Sequence, residues 1–238
     1  YLRHLKPALL KVACLVLIAK YLKGNFIMNR SFLHLYQNLT AYGNVYPLKH
    51  KMEDTHEIVN WTEDNFEYVR YNPRTKNERY GLSVTSLDGG VSGVPDLDSL
   101  PQFNKENNTN YHETDFCKFT PVYENKKIQN ILEPIKDSIF RTHILKFKPG
   151  GFFPPHRDTT RDVFDTFRLL IPLKNTVPPA FNFIVDGVLQ YWSQGVVYFV
   201  DTAKMHYVFN CSNSSSSYML VINTKPVSYT HLRAHETV

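Results

Sequence analysis

From residue 142 to residue 223 apolar positions come in short runs of four to eight residues. THILKF (142–147), GFFPPHRD (151–158), FRLLIPL (167–173), AFNFIV (180–185), LQYW (189–192), VVYFV (196–200), MHYVFN (205–210) and YMLVIN (218–223) are rich in β-branched and aromatic residues. Turn signals part them: Pro149-Gly150, Asp186-Gly187, Gly195 and the serine run 212–217. Closely spaced short strands of this kind predict a β-sandwich, jelly roll or barrel. Before residue 142 the pattern is mixed. Ile128, Ile131, Leu132 and Ile135 share a helical face, so 124–140 is expected to be a helix whose second half Pro134 weakens. Residues 79–90 alternate and end on a glycine pair, as a strand and turn do. The proline- and asparagine-rich 91–120 reads as a long loop, and weak helical spacing marks 32–39 and 65–71. The expected fold class is α+β, mainly β, with N-terminal helices packed on one face of the strands.

Composition narrows this little. Apolar residues make up 42% of the chain, enough for a sizeable core. The net charge of +5 is spread without a basic run, so no nucleic-acid partner is indicated. Cys14, Cys117 and Cys211 are odd in number and far apart, which favours a reducing, cytoplasmic setting over a disulfide framework. The uninterrupted apolar stretch Val12 to Ala19 is too short to span a bilayer. Residues 1–27 are left as a targeting or anchor segment, an amphipathic helix, or sequence upstream of a start at Met28. The stretch 227–238 fits no element and is set aside as a non-native tail, and His231 and His235 with it. The expected domain is then 28–226, with its β core from about residue 140.

Three polar residues stand out among the strands. His156 and Asp158 are two apart, so on an extended segment they face the same way. His206 lies between apolar neighbours in MHYVFN. Two histidines and one carboxylate form the facial triad of non-haem Fe(II) oxygenases, yet HxD alone is also an ordinary polar turn. Arg168 sits in an apolar strand, where a guanidinium requires an anion. That anion is either a dicarboxylate co-substrate, which an arginine fork binds bidentately, or an internal partner such as Asp162, Asp165 or Asp201.

The run from Pro149-Gly150 through Pro155-His156, Arg168 and Trp192-x-x-Gly195 to His206 resembles the aspartyl/asparaginyl β-hydroxylase family of Fe(II)/2-oxoglutarate-dependent dioxygenases, over roughly 140–225. The resemblance implies a double-stranded β-helix, the cupin-like jelly roll. It implies Fe(II) on His156, Asp158 and His206, 2-oxoglutarate paired with Arg168, O₂ as oxidant, and hydroxylation of a substrate C–H bond. An aspartyl or asparaginyl side chain in a peptide, a free amino acid or an acyl chain would serve as substrate. Many members carry an arginine at the start of the last strand. Here Tyr218, with Ser216 and Ser217, stands near that place and is the expected second co-substrate residue. Leu170 replaces a histidine common two residues after the motif arginine. Trp192, Tyr198 and Phe199 are expected in the core, Gly195 and Asp201 in turns, and His143 in a structural role near the site. Loops such as 91–120 are expected to build the substrate face. Two other readings stay open: a non-catalytic jelly-roll binding module, and a cupin metalloenzyme using Mn or Zn without a keto acid.

Overall fold

The computed structural model describes residues 40–158 and 167–225. The apolar segment 7–24, the helical spacing at 32–39, the candidate partners Asp162 and Asp165, and the tail 227–238 lie outside the described residues. Among the described residues, no helix is long and apolar enough to cross a membrane.

Two antiparallel sheets face each other. The larger contains β1 (Val45–Lys51), β2 (Val69–Arg70), β3 (Arg79–Ser83), β6 (Ile139–Phe147), β8 (Phe167–Lys174), β11 (Val196–Val200) and β13 (Ser217–Thr224), in the order β1-β11-β8-β13-β6-β3-β2. The smaller contains β7 (Phe152–His156), β9 (Phe181–Val185), β10 (Val188–Leu189) and β12 (His206–Asn210), in the order β10-β9-β12-β7. A two-stranded pair, β4 (Thr85–Ser86) and β5 (Lys118–Phe119), stands apart. From β6 onward the chain crosses between the two main sheets at nearly every step, which is the winding of a double-stranded β-helix.

The alternation along each central strand sorts its side chains into two cores. On β8, Leu169, Ile171 and Leu173 face outward, with Leu220 and Ile222 of β13 beside them. They are covered by Ile58 and Val59 of helix α1 (Thr55–Asn65) and by Ile128, Ile131 and Leu132 of helix α3 (Lys126–Leu132). On the other face, Leu170, Met219, Val221 and Leu145 meet Phe181, Phe183, Val185 and Val208 of the smaller sheet. The helices therefore pack on one face, as expected, and the space between the sheets is left for a site.

Several elements differ from the sequence reading, each for a local reason. The expected loop 91–120 contains helix α2 (Leu100–Asn107). Its Pro101 lies in the first turn, where a missing N–H costs nothing, and Asn108 closes it in the left-handed region at φ 51°. Residues that read as loop formers are this helix's ends. The expected helix 124–140 is α only from Lys126, capped by the Asn125 side chain on the N–H groups of Lys127 and Ile128. Pro134 then removes a donor, and the chain tightens into a 3₁₀ helix, Glu133–Ser138. Residues 65–71 are not helical: α1 ends at Asn65 and β2 follows. In 189–192 only Leu189 is in a strand, while Trp192 turns into the core edge-on to Phe183 and Tyr198. Gly195 takes φ +79°, and a Cβ there would meet the Met52 carbonyl, so this turn requires glycine.

Candidate metal centre

The two histidines of the sequence reading come from neighbouring strands. His156 ends β7, His206 begins β12, and the two are paired in register. Their rings lie 4.2 Å apart between centroids. Each ring is oriented in the same way. His156 Nδ1 is 2.7 Å from the Pro154 carbonyl and His206 Nδ1 is 3.0 Å from that of Lys204. A carbonyl only accepts, so each Nδ1 carries the proton and each Nε2 presents a lone pair, the arrangement a metal requires. Asp158 lies two residues beyond the end of β7, where its N–H donates to the Thr202 carbonyl at 3.0 Å. Its oxygens lie 3.8 Å from Nε2 of His156 and 3.8 Å from Nε2 of His206. One candidate ligand atom from each residue lies within 4.8 Å of the others.

Behind the triad stands a chain of alternating charges. Arg168 Nη1 is in ion-pair contact with Asp158 Oδ2. Its Nε donates to Asn223 Oδ1 at 2.8 Å, and Nη2 lies 4.0 Å from Glu113. Asn223 Nδ2 donates to the Arg141 carbonyl at 2.8 Å, which fixes the amide's orientation. Arg141 in turn donates to Glu113 at 2.7 Å and to the carbonyls of Asp96 and Asp98. Burial alone would raise the Asp158 carboxyl. The Arg168 guanidinium, helped by the two imidazoles and the Thr202 hydroxyl, outweighs that and holds it below the ordinary carboxylate range. Burial lowers His206, against the pull of Asp158, so its imidazole is neutral at pH 7. His143 is pushed down to about 3 by burial and by the nearby Arg141 and Arg168.

These groups line a cavity of about 320 Å³ between the sheets. All three triad residues, Arg168 and His143 reach it, and so do Ser99, Leu100, Pro101 and Glu113 from the 91–120 segment. Tyr218 does not, and its expected place at the co-substrate is corrected here. Along β13 the cavity-facing residues are Met219, Val221 and Asn223. Tyr218 has the opposite parity, packs edge-on to Tyr68 in the outer core, and donates its hydroxyl to Glu63 at 2.8 Å. Asp201 holds the turn before His206, accepting from Ala203 N at 3.1 Å, and Trp192, Tyr198 and Phe199 are buried in the core. The sequence reading missed Asn223, Glu113, Arg141 and Arg79. Arg79, a guanidinium opening the apolar strand RYGLS, carried the same signal that singled out Arg168.

A divalent cation suits this donor set. Two bonds of about 2.1 Å would bridge each 3.8 Å gap. Asp158 Oδ2 is buried and held in ion-pair contact by the Arg168 guanidinium. Two imidazoles and one carboxylate on one side of an ion leave its other positions open to a chelating ligand.

A family model described as aspartyl/asparaginyl beta-hydroxylase matches residues 102–225, just over half of the chain. Among solved structures, an oxidoreductase of the 2OG-Fe(II) oxygenase family from Burkholderia pseudomallei is 14% identical, covering 85% of this chain and 93% of its own, with a TM-score of 0.43. HygX from Streptomyces hygroscopicus, solved with nickel, 2-oxoglutarate and hygromycin B bound, is 9% identical over 80% of this chain and 86% of its own, with a TM-score of 0.47. A cupin domain from Bordetella pertussis is 21% identical over 37% of this chain and 82% of its own, with a TM-score of 0.29. A search of curated protein sequences finds no match.

Proposed function

The chain belongs to the aspartyl/asparaginyl β-hydroxylase family, and from that premise we propose that it is an Fe(II)- and 2-oxoglutarate-dependent hydroxylase whose metal is held by His156, Asp158 and His206. The observation that carries the ligand assignment is the convergence of two Nε2 lone pairs on the two oxygens of the Asp158 carboxylate. Bound there, Fe(II) with 2-oxoglutarate and O₂ supplies the oxidising power: 2-oxoglutarate becomes succinate and CO₂, and one substrate C–H becomes C–OH.

The protein's own residues do the positioning. The carbonyls of Pro154 and Lys204 lock both rings in the metal-binding tautomer. The positive neighbours of Asp158 favour its ionised form against the cost of burial. Arg168, anchored through Nε by Asn223, keeps its terminal nitrogens beside the metal ligands. Arg168 would brace Asp158 as a metal ligand and offer its remaining nitrogens to a co-substrate carboxylate next to the metal. Apolar walls from Leu170, Phe183, Val208 and Val221 exclude water from the reacting atoms. The segment from Asp98 to Pro101, with Glu113, forms the wall a substrate meets, and a peptide, amino acid or other small molecule bearing an aspartyl or asparaginyl side chain is the substrate class proposed.

Anaerobic titration with Fe(II), followed by aerobic conversion of 2-oxoglutarate to succinate, tests this reading. One Fe(II) per chain and succinate formation are expected, with both lost in His206→Ala. Intact 2-oxoglutarate at millimolar levels, or wild-type metal affinity in that variant, would overturn it.

A further inference from the structure

The metal end of the cavity has its charges matched, because Arg168 and Arg141 share Asp158 and Glu113. Arg79 is different. It is 6% exposed, lines the same cavity, and has no carboxylate among the described residues within ion-pair distance. Its Nε is buried without any hydrogen bond, and Nη1 has only a 3.3 Å contact with the Phe152 carbonyl. The guanidinium lies 3.9 Å over the Phe153 ring and 5.3 Å from the Tyr71 ring. These rings hold it in place but cannot neutralise its charge. A buried, unneutralised guanidinium is expensive, and burial already lowers the proton affinity of Arg79.

The position is informative. The Phe153 ring is stacked 5.9 Å from the imidazole of His156. Arg79 and His156 thus pack against the same aromatic ring within one cavity. Arg79 is also paired in register with Phe147, which pairs in turn with Ser217 at the start of the last strand. It reaches the cavity from β3, beside the strand end where Tyr218 failed to supply a co-substrate residue.

We propose that Arg79 binds the distal carboxylate of 2-oxoglutarate, the one that does not approach the metal. The proposal rests on the co-substrate reading above. A dicarboxylate lying between the triad and Arg79 would have one end on the metal and the other on a planar donor fork, which binds a carboxylate bidentately. The neighbours Phe147, Phe153, Val208 and Met219 would enclose its methylene carbons.

The test is calorimetric binding to the Mn(II)-loaded protein, without turnover, of 2-oxoglutarate and of 2-oxobutanoate. The second has the same chelating head and no distal carboxylate. Arg79→Met is expected to weaken 2-oxoglutarate by about 30-fold or more while changing 2-oxobutanoate by less than about threefold. Arg79→Lys, which keeps the charge but not the fork, is expected to fall between, and it serves if the methionine variant does not fold. The melting temperature of Arg79→Met is expected to equal or exceed wild type, because an unneutralised buried charge is removed. A purely structural arginine would instead lower it and leave the ratio of the two affinities unchanged, which overturns the proposal. An unchanged 2-oxoglutarate affinity with a raised KM for an acidic substrate would assign Arg79 to the substrate's carboxylate and also overturn it. If the wild-type protein binds neither oxo acid, the co-substrate reading itself fails; if it binds 2-oxoglutarate and both variants match it, only the role of Arg79 fails.

Discussion

Replacing Asn223 by leucine isolates the residue that anchors Arg168 without being one of the three proposed metal ligands. The side chain is 2% exposed, and leucine keeps its approximate volume, so the cavity cost is small. Two hydrogen bonds are lost, the Arg168 Nε donation at 2.8 Å and the donation to the Arg141 carbonyl at 2.8 Å. The first leaves a charged donor unsatisfied, which costs about 1.5–3 kcal/mol. The second costs less, because the same carbonyl keeps its contact with His143 Nδ1 at 3.0 Å. Together they come to about 2–4 kcal/mol, or a fall in melting temperature of about 5–15 °C for a domain of this size. Arg168, released from Asn223, would no longer be held against Asp158, and metal affinity is expected to fall about 10- to 100-fold. Thermal unfolding by circular dichroism and titration with Mn(II) measure the two effects. A variant within about 0.5 kcal/mol of wild type, with unchanged metal affinity, would refute the reasoning and show that Asp158 and Glu113 alone hold the guanidinium.

Two further outcomes are expected. His143 has a folded pKa of about 3 against an ordinary value near 6.5, so between these values the unfolded chain binds about one more proton there. Stability of the metal-free protein is therefore expected to fall with acidification across that window, by about 1.4 kcal/mol per pH unit from this site, and urea unfolding at several pH values should show a slope smaller by about one proton in His143→Leu. Tyr218→Phe is expected to cost about 1 kcal/mol, the value of its bond to Glu63, and to leave metal and 2-oxoglutarate affinities unchanged; weaker co-substrate binding in that variant would place the hydroxyl at the site after all.

The β core and the triad were legible because both depend on short-range rules. Turn residues cut the strands, and a separation of two put His156 and Asp158 on one side. What could not be read was parity far along a strand. Tyr218 and Met219 are adjacent, equally plausible in sequence, and face opposite cores, because β13 alternates between helices and cavity. Helix α2 was hidden for a different reason. Pro101 and Asn108 are loop formers by composition and helix boundaries by position, and only the hydrogen-bonding pattern separates the two. The partners of Arg168 were unreadable because Glu113 and Asn223 are distant in sequence and arrive from a loop and another strand.

Strand β7 is the outermost member of its sheet, and its middle is Pro154-Pro155. Two consecutive residues there have no N–H to offer, and the Pro154 carbonyl is already engaged by the imidazole of His156. Another extended chain lying alongside would find almost nothing to zip onto at that rim. The same proline pair, one carbonyl of which orients His156, thus keeps this border from serving as a template for aggregation.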